Sequence, residues 1–262
     1  MKAFVLYDFA SRTGRGWNPF PLRARYSLEF KGLPYQTVWI QYPEIETIMK
    51  EIGAPSTKKK PDGSPGYTLP VIVDPNYLGE DGKPVIIADS LAIAAYLDRQ
   101  YPSKKALIPK GTSVLIAILD DYINKTIFRA GVPIFIPLAY QILEDQSREY
   151  YLRTRTKSYP FARSISENQE GSDDWTTSWT TLEKIFSEIG NCFDDNTSTT
   201  DRTKEDFITG TSPTFADFSL ASVLESLAVL APKQWEELMS QWDDGRWGRY
   251  RERCAAWLNP TI

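Results

Sequence analysis

The sequence has no histidine among its 262 residues. That removes every Ser-His and Cys-His catalytic arrangement, along with the usual zinc and iron sites, which need imidazole as base or ligand. Only two cysteines occur, Cys192 and Cys254. Two thiols make no disulfide framework, so a reducing cytoplasm is the expected setting. A basic excess is missing too: 30 Lys and Arg stand against 34 Asp and Glu, a net charge of −4. This excludes the footprint of a nucleic-acid binder, and the Lys58–Lys60 run reads as a solvated loop. No apolar run is long enough to span a membrane. The opening MKAFVLYDFASRTGRGW turns polar too soon for a secretion signal. Chemistry therefore falls to carboxylates, hydroxyls, amides, cations or a borrowed cofactor, with no metal expected.

What is present is patterned. Ala3–Tyr7 is a short apolar, aromatic run that reads as a buried strand. After a loop, Asp8–Asn18, Pro19 opens a helix carrying Leu22, Tyr26 and Phe30 at four-residue spacing and ending at Gly32. Tyr35–Ile40 alternates as a second strand, giving a right-handed βαβ crossover. A Lys-, Pro- and Gly-rich loop, Ser56–Tyr67, precedes two further strands, Thr68–Val73 and Pro84–Ile87, read as an antiparallel pair. Asp89-Ser90 then caps a helix that stops at Pro102. The remainder is helical. A long helix beginning at Thr112 is expected to bend at Pro133 and Pro137. Trp175, Trp179, Leu182, Phe186, Ile189 and Phe193 fall on one helical face. Thr214 and Asp217 are spaced as a capping box. Residues 160–174 and 194–204 read as polar loops. Two domains follow: an α/β domain over 1–102 and an all-helical domain over 112–262.

This order, with Thr68-Leu69-Pro70-Val71 before the hairpin, Asp89-Ser90 at a helix start and the Thr214–Asp217 cap, resembles the glutathione transferases. WNP before the first helix and KGLPYQTVWIQYPEIE are most similar to the fungal-specific class A members, relatives of the β-etherases. The resemblance implies a thioredoxin-like βαβ-ββα domain followed by an all-helical domain. It implies glutathione as co-substrate and a homodimer. It also implies a cis Pro70, so that Leu69 offers its main-chain N–H and C=O to glutathione laid alongside as an added strand. The residues alone equally allow Pro70 as an ordinary strand-start proline and Asp89-Ser90 as a plain N-cap. By resemblance Ser90 receives the γ-glutamyl carboxylate, with Asp89 near that group. Lys58–Lys60 and Arg25 are unranked candidates for the glycyl carboxylate.

Transfer needs thiolate, and an unperturbed thiol has a pKa of about 8.5. A hydrogen bond donated to sulfur stabilises the anion and lowers that value. The family uses Tyr, Ser or Cys near the first strand and helix, and the class resembled here carries Ser-Pro where this chain has Asn18-Pro19. An amide NH₂ can donate but cannot accept a proton. Ser11 is the chief rival, with Thr13 and Tyr7 behind it, and Asn18 as a simple helix cap stays open. For a hydrophobic acceptor the candidates are Trp17 and Phe20 beside the thiol and Tyr122 and Phe128 from the long helix. The function expected is attack of glutathione thiolate on aromatic or ether electrophiles. The alternative is a non-catalytic ligandin that sequesters small aromatic ligands.

Overall fold

The computed structural model describes residues 1–102, 105–159, 170–197 and 207–258. The first elements are β1 (Phe4–Phe9), α1 (Pro19–Lys31), β2 (Tyr35–Ile40) and α2 (Ile45–Glu51). A two-residue ribbon of β3 (Lys58–Lys59) and β4 (Pro65–Gly66) follows, then β5 (Val71–Leu78), β6 (Pro84–Ala88) and α3 (Ser90–Gln100). The main sheet has the order β2-β1-β5-β6, with β1 parallel to β2 and both remaining pairs antiparallel. This is the thioredoxin-like arrangement expected.

Strand β1 runs two residues beyond the expected Tyr7, through a charged residue that ordinarily ends a buried strand. Asp8 is tolerated because α1 supplies its partner: the Arg25 guanidinium lies 2.9 Å from its carboxylate, and both side chains are 0% exposed. Arg25 also donates to Thr37 Oγ1 at 3.0 Å and lies 4.9 Å from the Trp39 ring. Arg25 is thus fully engaged inside the fold and is unavailable as the cation for a glycyl carboxylate. The short α2 was missed in the sequence, although Pro43 and Glu44 before it and Gly53 after it are ordinary start and stop signals.

Contacts divide the chain into two compact units. One comprises Met1–Ile108, Leu143–Tyr150 and Trp257–Ile262; the other comprises Pro109–Ile142 and Tyr151–Ala256. The second unit is built from α4 (Ser113–Tyr122), α5 (Val132–Ile142), α6 (Asp145–Ser158, from Tyr151 on), α7 (Asp173–Thr197), α8 (Phe215–Leu230), α9 (Pro232–Glu237) and α10 (Trp242–Ala255). Between α4 and α5 the helix widens into a π-helical stretch, Ile123–Phe128. The break then falls at Gly131 rather than at the prolines. Pro133 sits in the first turn of α5, where no helical N–H is needed, and Pro137 is accommodated inside it.

In the core of this unit Phe186 and Tyr250 pack against Trp247, with ring centroids 4.9 and 5.9 Å apart. The expected capping box is present: Thr214 N–H and Oγ1 donate to Asp217 at 2.8 and 2.9 Å. Asp217 also receives Tyr250 OH at 2.6 Å and Ile208 N–H at 2.7 Å. Burial pushes its carboxyl pKa up, and those four donors pull against the shift. Of the expected polar loops, residues 160–169 and 198–204 lie outside the described residues. Asp173 and Asp174 instead open α7, which continues to Thr197. Among the described residues no single helix is long and apolar enough to cross a membrane.

Candidate functional site

Sheet register explains why residues distant in sequence gather at one edge. Val71 pairs with Tyr7 on one side and with Ala88 on the other. The directions of these strands put three things at the same end: the loop after β1, the Leu69-Pro70 step before β5, and the Asp89-Ser90 step after β6. The exit of β2 joins them, because Phe9 pairs with Ile40. The sheet unit therefore brings Ser11, Asn18, Leu69, Pro70, Asp89 and Ser90 to one edge. The Leu69-Pro70 peptide is cis. No hydrogen bond engages the Leu69 backbone among the described residues.

Asn18 is the N-cap of α1, half-buried, with extended backbone. Its Oδ1 accepts from Phe20 N–H at 3.1 Å. That bond assigns the two ends of the carboxamide: the oxygen caps the helix, and Nδ2 has no acceptor among the described residues. Asn18 is therefore a cap and a donor at once, at the positive end of a helix. Ser11 is instead held within its own loop, its Oγ 2.8 Å from Thr13 Oγ1. The loop is tethered by Arg12, which donates to Asp145 at 2.6 Å and lies 3.6 Å from Glu144. Ser147 performs a similar service for the β2 exit, accepting from Tyr42 N–H at 3.0 Å and donating to Gln41 Oε1 at 2.5 Å. These tethers come from a segment 105 to 133 residues away in the chain, and no local pattern in the sequence announces them.

At the other helix start, the Asp89 carboxylate accepts from Leu91 and Ala92 N–H, each at 3.0 Å. Asp89 carries φ 81° and ψ 131°, a conformation normally left to glycine. Ser90 is buried beside it. Lys60, one of the cations considered for the glycyl carboxylate, is 2.6 Å from Glu46.

The aromatic candidates are distributed differently from the expected common wall. Trp17 is 2% exposed and packs near Phe9, with ring centroids 6.1 Å apart. It offers no open ring face, and its buried Nε1 has no partner among the described residues. Phe20 is half-buried under the Arg23 guanidinium, 4.9 Å from its ring centroid. In the helical unit Phe128 stacks on Phe135 at 5.2 Å. Tyr122 lines an apolar cavity of about 560 Å³ that does not include Phe128. Tyr7 is half-buried, and burial pushes its hydroxyl pKa up, which disfavours it as an ionised base. Cys254 is buried, and burial pushes its thiol up. Cys192 is exposed. Among the described residues no group of three metal-ligating side chains is assembled.

Known proteins share this arrangement along most of the chain. Residues 17–100 match the model of the glutathione S-transferase N-terminal domain, and residues 114–257 match that of the C-terminal domain. A glutathione S-transferase of Ceriporiopsis subvermispora, CsGST63524, solved in complex with glutathione, is 31% identical. The superposition covers 100% of both chains with a TM-score of 0.87. Glutathione transferase GSTFuA3 of Phanerochaete chrysosporium matches equally, at 31% identity, full coverage of both chains and a TM-score of 0.87. The glutathione S-transferase-like protein ustS of Aspergillus flavus is 27% identical over 97% of this chain and 90% of its own. With both domain models matched in order and the sheet edge assembled as above, the chain belongs to the glutathione S-transferase family.

Proposed function

We propose that the chain binds glutathione along the sheet edge and delivers its thiolate to an electrophilic aromatic or ether carbon. A carbon–sulfur bond forms there, and the leaving group departs with its electron pair. The observation that carries this reading is the Asn18 carboxamide, whose oxygen is occupied by Phe20 N–H while Nδ2 remains a donor. Such a donor, reinforced by the helix field, favours thiolate over thiol. It takes no proton, so the thiol proton leaves to solvent. Leu69, next to cis-Pro70, is suited to main-chain pairing with the cysteinyl part. Ser90, at the α3 start, is suited to the γ-glutamyl carboxylate. The glutathione complex of the Ceriporiopsis relative supports the ligand.

The same reading makes residues 1–102 the glutathione domain and gives residues 112–262 the acceptor site, with Tyr122 and Phe128 as its contacts. Similarity to the two fungal transferases supports placement near the fungal-specific class A members, and with it a cytoplasmic homodimer. Calorimetric titration with glutathione, followed by turnover of an activated aryl halide, tests the proposal. Absence of glutathione binding would end it. Binding of glutathione and aromatics without turnover of any electrophile would favour the ligandin reading, which the lack of an ionisable group at Asn18 keeps in view.

A further inference from the structure

Between α2 and β5 the chain makes a small ribbon with an exposed tip. Strands β3 and β4 pair over two residues each, in a sheet of their own, and so short a hairpin is marginal by itself. The tip is closed by Lys60 N–H donating to Ser64 C=O at 2.8 Å and Gly63 N–H donating to Lys60 C=O at 2.9 Å. Gly63 takes φ 83°, which the turn requires and glycine permits. Ser64 is half-buried, its Oγ donating to Asp62 at 2.6 Å, and Pro65 after it is exposed. The sequence contains one other Ser-Pro step, Ser212-Pro213. There the proline is buried, immediately before the α8 cap.

A hydroxyl followed by an accessible proline suits one class of enzyme. Proline has no backbone N–H and a fixed φ, so it fits a groove that presents an apolar slot there and no acceptor. From this we infer that Ser64 is the acceptor of a proline-directed serine/threonine kinase. The γ-phosphoryl group of a nucleoside triphosphate passes to Ser64 Oγ. The new P–O bond forms as the bond to the diphosphate breaks with its electron pair, and the hydroxyl proton goes to the kinase's base. Laying the tip out in an extended groove breaks the two turn bonds and the Asp62 contact. It leaves the four-stranded sheet untouched, because the ribbon is separate from it.

The phosphate brings a charge of about −1.5 to −2 into a basic neighbourhood. Lys60 meets Ser64 across the turn, and the Lys58 stem lies over Gly66, where a Cβ would come 2.8 Å from its Cγ. Asp62, the partner of the hydroxyl, repels the new group, while Lys60, 2.6 Å from Glu46, is drawn to it. Lys58–Lys60 are also the cations considered for the glycyl carboxylate. The ribbon reaches the sheet edge through Thr57, which donates its N–H to Gly66 C=O at 3.1 Å. Thr57 Oγ1 lies 2.6 Å from Oγ1 of Thr68, the residue before Leu69. Phosphorylation therefore weakens glutathione binding, a consequence that rests on the proposed function, whereas the acceptor site does not.

The test incubates the intact chain with an activated mitogen-activated protein kinase, ATP and magnesium, and locates phosphate by mass spectrometry. Phosphate is expected at Ser64 and not at Ser212. Its rate of incorporation is expected to fall at least about tenfold in Pro65→Ala, and Ser64→Ala is expected to take none. Glutathione titration of the phosphorylated chain is expected to show a Kd raised about fivefold, with kinase-treated Ser64→Ala unchanged. Absence of phosphate at Ser64, equal labelling of Ser212, or labelling indifferent to Pro65→Ala overturns the acceptor site. Phosphate at Ser64 with unchanged glutathione affinity overturns the coupling. A parent chain that binds no glutathione ends the proposed function and the coupling with it, while the labelling result decides the acceptor site by itself.

Discussion

At the scale of single residues, two helix starts carry the proposed site, and each combines a cap with something further. Asp89 caps α3 with two hydrogen bonds while holding φ 81°, so its two burdens can be separated by substitution. Asp89→Ala removes the cap and keeps a side chain in strained backbone; it is expected to cost about 2 kcal/mol. Asp89→Gly loses the same cap but relieves the backbone, and is expected to be about 1 kcal/mol less damaging. Urea unfolding of the two variants checks the order, and equal losses would mean the positive φ carries no penalty. Asn18 was legible as a cap candidate because Asn-Pro before an apolar period is a helix-start signal. Which end of its amide faces outward was not legible, since that depends on Phe20 N–H taking the oxygen. Trp17 was misjudged as a wall for the same kind of reason: neighbouring Phe9 claims its ring, and burial of one aromatic by another leaves no local trace.

At the scale of elements, α1 and β1 are clamped by the buried Asp8–Arg25 pair. Removing one partner strands the other charge, so Arg25→Ala is expected to cost about 3–5 kcal/mol. Asp8→Ala combined with Arg25→Ala should cost clearly less than the sum of the single losses. A double-mutant cycle by chemical denaturation measures this, and strict additivity would deny the clamp. In the helical unit, the break between the π-helical stretch and α5 depends on Gly131. A Cβ there would lie 2.5 Å from the Phe135 ring, which is buried and stacked on Phe128. Gly131→Ala is therefore expected to destabilise by about 1–3 kcal/mol, against its gain in helix propensity, and a rise in thermal midpoint would contradict it. Sequence periodicity placed the long strands and helices well. It failed at α2, seven residues long, and at the two-residue ribbon of Lys58–Lys59 with Pro65–Gly66, which are too short to show a period. It placed the bend at the prolines because it could not see Phe135 pressing on Gly131.

For the whole molecule, the family was readable because its features recur in order: the cis-Pro step, the α3 cap and the Thr214–Asp217 box. The return of Leu143–Tyr150 to the sheet unit was not, because Arg12, Gln41 and Tyr42 meet Asp145 and Ser147 only in three dimensions. Ligand linkage offers a global check on the proposed function: glutathione at one hundred times its Kd should stabilise the chain by about 2.7 kcal/mol. The central claim, that an amide at the α1 start activates the thiol, is tested most directly by the pH titration of bound glutathione thiolate absorbance in Asn18→Asp beside the parent. Aspartate caps a helix about as well as asparagine, so folding stability is retained while the donor is replaced by an anion. The account predicts a parent thiol pKa below about 8.5 and a rise of at least about one unit, or about 1.4 kcal/mol, in Asn18→Asp. An unchanged thiol pKa in that variant would contradict it.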